Sequence, residues 1–272
     1  MKLRRFVEEL LNRDIQTAEQ VSGGRDSTVW RIEVRSGQKY AVRVLPEDRL
    51  NQFIFEKDIM EHARHYGIAV PKPIAVQAGG GSAVMVMEWG RGRTLLEELQ
   101  LNPLNSERIG YLFGAAQAGI HNIPSVSCGR RWLEPMDDEE RILMESISGE
   151  ISPSGGCLLH LDYHPLNVMT DGEGITAILD WANSSAGDWR FDTARTHAIL
   201  ELLGHGMMEA KVLDPFIAGW KMGYLEAAGT TAGDNPLFYV WSGARLSNDL
   251  GPALPPGVPL QIEAWTRLHL QG

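Results

Sequence analysis

Two short segments contain the residue types most able to do chemistry, His160-Leu-Asp162-Tyr-His-Pro-Leu-Asn167 and Ile178-Leu179-Asp180-Trp181. The loop from Asp162 to Asn167 is too short to carry the two apart. The turn Asp171-Gly-Glu-Gly174 predicts a hairpin that folds the next strand back and returns Asp180 beside Asn167. Amide and carboxylate oxygens are hard ligands that suit Mg²⁺, which keeps waters and borrows phosphate oxygens to complete its octahedron. Three such groups together meet the demand of phosphoryl transfer. In that chemistry the protein mainly positions groups and neutralises charge, while an Asp accepts the proton of the incoming hydroxyl. Asp162 is therefore the candidate base, and Asn167 and Asp180 are the candidate metal ligands. His160, Asp162 and His164 also permit another reading, the H-x-D-x-H metal cluster of a hydrolase, but no further Cys or His set has convincing ligand spacing. His160 is expected to support the loop by hydrogen bonding.

These residues need elements to hold them. Leu3, Phe6, Val7, Leu10 and Leu11 recur at helical spacing and predict a short amphipathic helix. Strands follow at Val29–Val34 and Tyr40–Leu45, joined by Ser36-Gly-Gln-Lys39. A helix is expected over Asn51–Tyr66, closed by Gly67, Pro71 and Pro73, and two strands over Ile74–Gln77 and Ala83–Trp89. Gly90 and Gly92 mark a change of character. Beyond them the pattern predicts helices at 94–100, 106–121, 136–148, 190–203, 207–228 and 260–270, with Pro215 interrupting one, and a β island at Cys157–Leu179. The expected class is α+β: an antiparallel sheet lobe over residues 1–89 and a mostly helical lobe over residues 90–272.

The Asp-to-Asn spacing is that of the kinase catalytic loop His-Arg-Asp-x-x-x-x-Asn. The chain resembles the aminoglycoside phosphotransferase and choline kinase family, whose loop is typically His-Gly-Asp-x-x-x-x-Asn followed by Ile-Asp-Trp or Ile-Asp-Phe; here Leu161 takes the middle position. The resemblance implies a bilobal protein-kinase-like fold with ATP or GTP bound in the cleft between lobes. It implies that Ser22-Gly23-Gly24-Arg25-Asp26-Ser27 covers the nucleotide, with Gly23, Gly24 and Ser27 near its phosphates, since glycines let backbone N–H groups approach closely. Arg43 stands where such enzymes usually place a phosphate-holding Lys, with Glu56 as its partner, and Met87-Glu88-Trp89 matches the hinge that reads the base. Arg43 and Glu56 also have an ordinary reading as a surface ion pair. Gly187-Asp188 through Phe191-Asp192 is similar to the family's Gly-Asp-Pro … Asp-Leu-Ala segment, in which the second Asp braces the catalytic loop. Asp180-Trp181-Ala182 is not Asp-Phe-Gly and no Ala-Pro-Glu follows, so small acceptors are expected rather than proteins. A non-catalytic nucleotide-binding regulator with the same fold is the alternative.

Composition bounds the rest. With 272 residues, 43% of them hydrophobic, the chain can bury a sizeable core. Its 25 Lys and Arg against 35 Asp and Glu give a charge of −10, which disfavours nucleic acid and tilts the acceptor toward a small, hydroxylated, possibly cationic molecule. Cys128 and Cys157 are too few for a disulfide framework, the start does not read as a signal peptide, and no run spans a bilayer, so the expected setting is cytoplasmic, with no membrane partner. Asp137-Asp138-Glu139-Glu140 reads as a helix start, Trp220, Tyr224, Tyr239 and Trp241 as core packing rather than an aromatic box, and Cys157 as a small buried hydrophobe.

Overall fold

The computed structural model describes residues 2–21, 27–124, 131–151, 156–232 and 236–270. Gly23 and Gly24, the expected phosphate-covering glycines, and Cys128 lie outside them. The chain divides into two units, Met1–Gly92 with Thr176–Ala182, and Arg93–Ile175 with Asn183–Gly272. The leading segment of the first unit ends at Gly92, not at the expected Trp89, and the first unit also takes in the segment that carries Asp180.

The first unit comprises α1 (Lys2–Leu11), β1 (Ile15–Val21), β2 (Thr28–Val34), β3 (Lys39–Pro46), α2 (Leu50–His65), β4 (Pro73–Gly79) and β5 (Ser82–Glu88). The strands form one antiparallel sheet in the order β1-β2-β3-β5-β4. Side chains alternate along a strand. Tyr40 and Val42 of β3 join Ile32, Val34, Val84, Val86 and Val7 of α1 in one buried cluster, and Arg43, the next residue, falls on the other face. On α2 the buried positions Phe53, Glu56, Ile59, Met60 and Ala63 recur at helical spacing, so Glu56 sits within an apolar stripe.

The second unit holds β6 (Arg93–Thr94), α3 (Leu95–Leu101), α4 (Ser106–His121), α5 (Asp138–Ser148), β7 (Cys157–Leu159) and β8 (Val168–Thr170). After β9 (Ile175–Ile178), which runs on into the first unit, come β10 (Ser185–Gly187), α6 (Trp189–Leu203), α7 (Ala210–Ala228), α8 (Pro236–Leu250) and α9 (Val258–Leu270). A capping box starts α3: the Thr94 hydroxyl accepts from Glu97 N–H and the Glu97 carboxylate accepts from Thr94 N–H. Asp137 caps α5 by accepting from Glu140 N–H at 2.8 Å, the helix start that the acidic run predicts. Where α4 meets α7, Gly110 and Gly114 face the Phe216 and Trp220 carbonyls, and Gly219 and Gly223 face those of Glu107 and Tyr111. A Cβ at any of the four would collide with backbone.

The helix expected to break at Pro215 does not: α7 runs through it. Proline removes one hydrogen bond, but Leu213, Phe216, Ile217 and Trp220 bury the flanking turns and keep the helix together. Trp220, Tyr224, Tyr239 and Trp241 are core residues, each at most 7% exposed. Among the described residues no helix is long and apolar enough to cross a membrane.

Candidate active site

In the first unit, β3 and α2 bring Arg43 against Glu56. Arg43 is 9% exposed and Glu56 is fully buried, so this is no surface pair. The guanidinium serves three partners: it pairs with Glu56, donates from Nε to the Ser27 hydroxyl at 3.2 Å, and reaches Asp180 Oδ1 from Nη2 at 3.3 Å. Burial works against its charge, and Glu56 and Asp180 more than offset that. Burial likewise pushes the Glu56 carboxyl up. The planar fork of Arg explains how one side chain holds three groups.

Asp180 is held by the backbone around it. Ile178 N–H donates to Ala69 O at 2.7 Å, and Trp181 N–H donates to Glu56 Oε1 at 3.2 Å. Between them Asp180 takes a left-handed φ of 58°, a conformation that Asp tolerates better than most residues, and its side chain stays 40% exposed. At the expected hinge, Met87 lies in the middle of the sheet, paired with Ala41 and Pro73. The N–H groups of Glu88 and Trp89 are already donated to Lys72 O and Lys39 O.

In the second unit the loop after β7 is suspended from one face of α6. Asp192 accepts from His160 N–H at 3.0 Å, from Leu161 N–H at 2.8 Å and from His121 Nε2 at 2.9 Å. Arg195 and Thr196, three and four residues on and therefore on the same face, donate to the carbonyls of Leu161 and Tyr163. Asp192 is thus the brace that the Gly-Asp … Asp segment implies. Leu161 has φ 61° and is fully buried. A left-handed residue with a Cβ costs roughly 1–2 kcal/mol, which explains why the family uses glycine here; burial of the leucine side chain against Phe191 and Trp241 of the same cluster offsets it.

Asp162 and Asn167 meet. Asn167 Nδ2 donates to Asp162 Oδ2 and to its backbone oxygen, both at 3.0 Å. His160 supports the loop, accepting from Asp162 N–H on Nδ1 at 3.2 Å. Burial opposes the charge of Asp162, yet His164, whose Nε2 lies 3.5 Å from Oδ1, with Arg195 and His160 holds the carboxyl well below the usual range. Asp162 and Asn167 therefore belong to the second unit, and Asp180, Arg43, Glu56 and Ser27 to the first.

The side chains fit Mg²⁺. Asn167 spends its amide nitrogen on Asp162, leaving the carbonyl oxygen as the atom to offer a hard cation. Asp180 offers a carboxylate that is partly exposed. Among the described residues no group of three or more His, Cys, Asp or Glu gathers into a metal cage. Cys157, expected to be buried, is only partly so; its Sγ lies 3.6 Å from Gly187 O, and burial, with Asp192 and Asp188 adding to it, pushes the thiol up to about 12. The motifs alone do not reveal His121, Arg195 and Asp249, the last of which pairs with Arg195. Their neighbours do not mark them either, since Thr193 and Thr196 flank Arg195 and Ser247 and Asn248 precede Asp249.

The family model described as "Phosphotransferase enzyme family" matches residues 17–151 and 152–229. Solved structures share the fold. A thermostable mutant of aminoglycoside phosphotransferase APH(4)-Ia, in ternary complex with AMP-PNP and hygromycin B, is 15% identical with a TM-score of 0.67, covering 100% of this chain and 98% of its own. A putative fructosamine-3-kinase from Haemophilus somnus 129PT is 14% identical, with a TM-score of 0.62 and coverage of 99% and 96%. The macrolide 2′-phosphotransferase MphH from Brachybacterium faecium, as apoenzyme, is 13% identical, with a TM-score of 0.58 and 97% of each chain covered. A search of curated proteins gives no significant match.

Proposed function

The chain belongs to the phosphotransferase enzyme family, and on that premise we propose that it moves the γ-phosphoryl group of ATP or GTP to a hydroxyl of a small molecule, amino-alcohol- or aminoglycoside-like. One observation carries this reading: the Asp162–Asn167 pair, in which the amide N–H locks the carboxylate and the amide oxygen is left over. Asp162, kept ionised, orients the acceptor hydroxyl and takes its proton. Asn167 and Asp180 would hold Mg²⁺, which would supply charge neutralisation at the phosphates. Arg43, fixed by Glu56, would clamp the phosphates. Ser27 borders the phosphates, while the backbone at Met87, Glu88 and Trp89 borders the base through groups other than the N–H donors of Glu88 and Trp89. The charge of −10 supports a cationic acceptor.

Purified protein, Mg²⁺ and γ-labelled ATP or GTP, offered a panel of hydroxylated amines, test the reading. Asp162→Asn should keep nucleotide binding and lose transfer by about 10²–10⁴-fold, the usual worth of a general base. Asp180→Asn should lose most turnover through the metal. Binding without transfer to any acceptor would favour the regulator instead.

A further inference from the structure

Arg195 stands on α6 directly behind the catalytic loop and is 4% exposed. Its Nε–H donates to the carbonyl of Leu161 at 3.2 Å, its Nη2 pairs with Asp249 near the end of α8, and its face lies over the Trp132 ring at 4.6 Å. Its Nη1 is buried with no hydrogen-bond partner. The Leu161 carbonyl and the Asp162 N–H belong to one peptide plane. Arg195 holds the carbonyl side of that plane, and His160 Nδ1 holds the N–H side at 3.2 Å. The plane follows a left-handed residue, so its carbonyl points away from any strand or helix partner and needs a donor from elsewhere. A guanidinium buried with both N–H groups of Nη1 unmatched is costly, and an aliphatic side chain would serve packing alone better.

We propose that Arg195 is a positioning residue for the phosphoryl transfer: it fixes the Leu161–Asp162 peptide and so aims the Asp162 carboxylate, and Asp249 of α8 fixes the guanidinium in turn. The inference rests on the phosphotransferase reading for its catalytic consequence, though not for the clamp itself. A single ammonium cannot span Leu161 O and Asp249 as the fork does.

The full-length chain with Arg195→Gln, Arg195→Lys or Asp249→Asn tests it through two readouts. In Arg195→Gln, amide exchange in the peptide spanning residues 158–167 should quicken by about tenfold or more, while α4 and α7 exchange as in the parent. With nucleotide and acceptor, kcat should fall by roughly tenfold or more and KM for nucleotide should stay within about twofold; Arg195→Lys should restore only part and Asp249→Asn should fall between. Unchanged exchange in the loop, or a parental kcat in folded Arg195→Gln, overturns the proposal. If Arg195→Gln fails to fold, Arg195→Lys and Asp249→Asn decide by the same readouts. Should the parent protein transfer no phosphoryl group, the phosphotransferase reading fails, while the exchange arm still accepts or rejects the clamp.

Discussion

Arg43 shows how one side chain can hold three groups at once. Its partner Glu56 is fully buried, so removing the guanidinium alone strands a carboxylate in the apolar stripe of α2. Arg43→Met is expected to cost about 3–5 kcal/mol, the usual penalty for breaking a buried pair by one partner. Adding Glu56→Gln should recover much of that, because the amide oxygen can still accept from Trp181 N–H. Urea denaturation of the two variants checks this, and equal instability of single and double variant would contradict it. At this scale the sequence was most legible. The types and spacing of Asp162 and Asn167 foretell a pair that the structure brings within hydrogen-bonding distance. Arg195 and Asp249 were not legible, because residues 54 apart in sequence announce no partnership until α6 and α8 pack.

The loop after β7 and α6 act as one element. Leu161 makes an unusual forecast: glycine is normally a poor replacement, yet at a φ of 61° Leu161→Gly should be more stable than Leu161→Ala by about 1 kcal/mol, since both lose the buried side chain and only alanine keeps the strain. Denaturant midpoints of the two variants decide it; alanine ahead of glycine would refute the strain. Asp192 gives the loop a pH dependence. Burial opposes its charge, but hydrogen bonds from His121 and the loop N–H groups lower its folded pKa below the ordinary carboxylate value. A depressed folded pKa means stability present above the unfolded value of about 4 and lost as pH falls through the folded one. Asp192→Asn should therefore weaken the protein at neutral pH and converge on the parent in acid; parallel stability curves would contradict it. Elements whose residues lack a clean period escaped sequence reading. β1 is a polar edge strand exposed over most of its length, and α8, rich in Phe, Tyr, Val and Trp, is buried nearly all round across its middle and shows no single stripe. The two- and three-residue strands β6 and β10 are too short to alternate, and only their partners β8 and β7 define them.

At the scale of the whole molecule, a sheet unit carries Arg43, Glu56 and Asp180, and a helical unit carries Asp162 and Asn167. The α+β class, the sheet lobe and the helical lobe were legible because strand alternation gives way to helical spacing near Gly90 and Gly92. The return of Thr176–Ala182 to the first unit was not, since nothing in those residues announces which core they join. The proposed chemistry needs nucleotide and Mg²⁺ to engage groups from both units, and that need can be read without knowing the acceptor. The most direct measurement is the thermal midpoint of the parent chain and of Asp180→Asn with ATP or GTP, each with and without Mg²⁺. A ligand at a hundred times its Kd adds about 2.7 kcal/mol, enough to raise the midpoint by several degrees. The phosphotransferase reading predicts a nucleotide-induced rise that grows with Mg²⁺ in the parent and loses its Mg²⁺ dependence in Asp180→Asn. No rise with either nucleotide, or an equal Mg²⁺ dependence in both proteins, would contradict it.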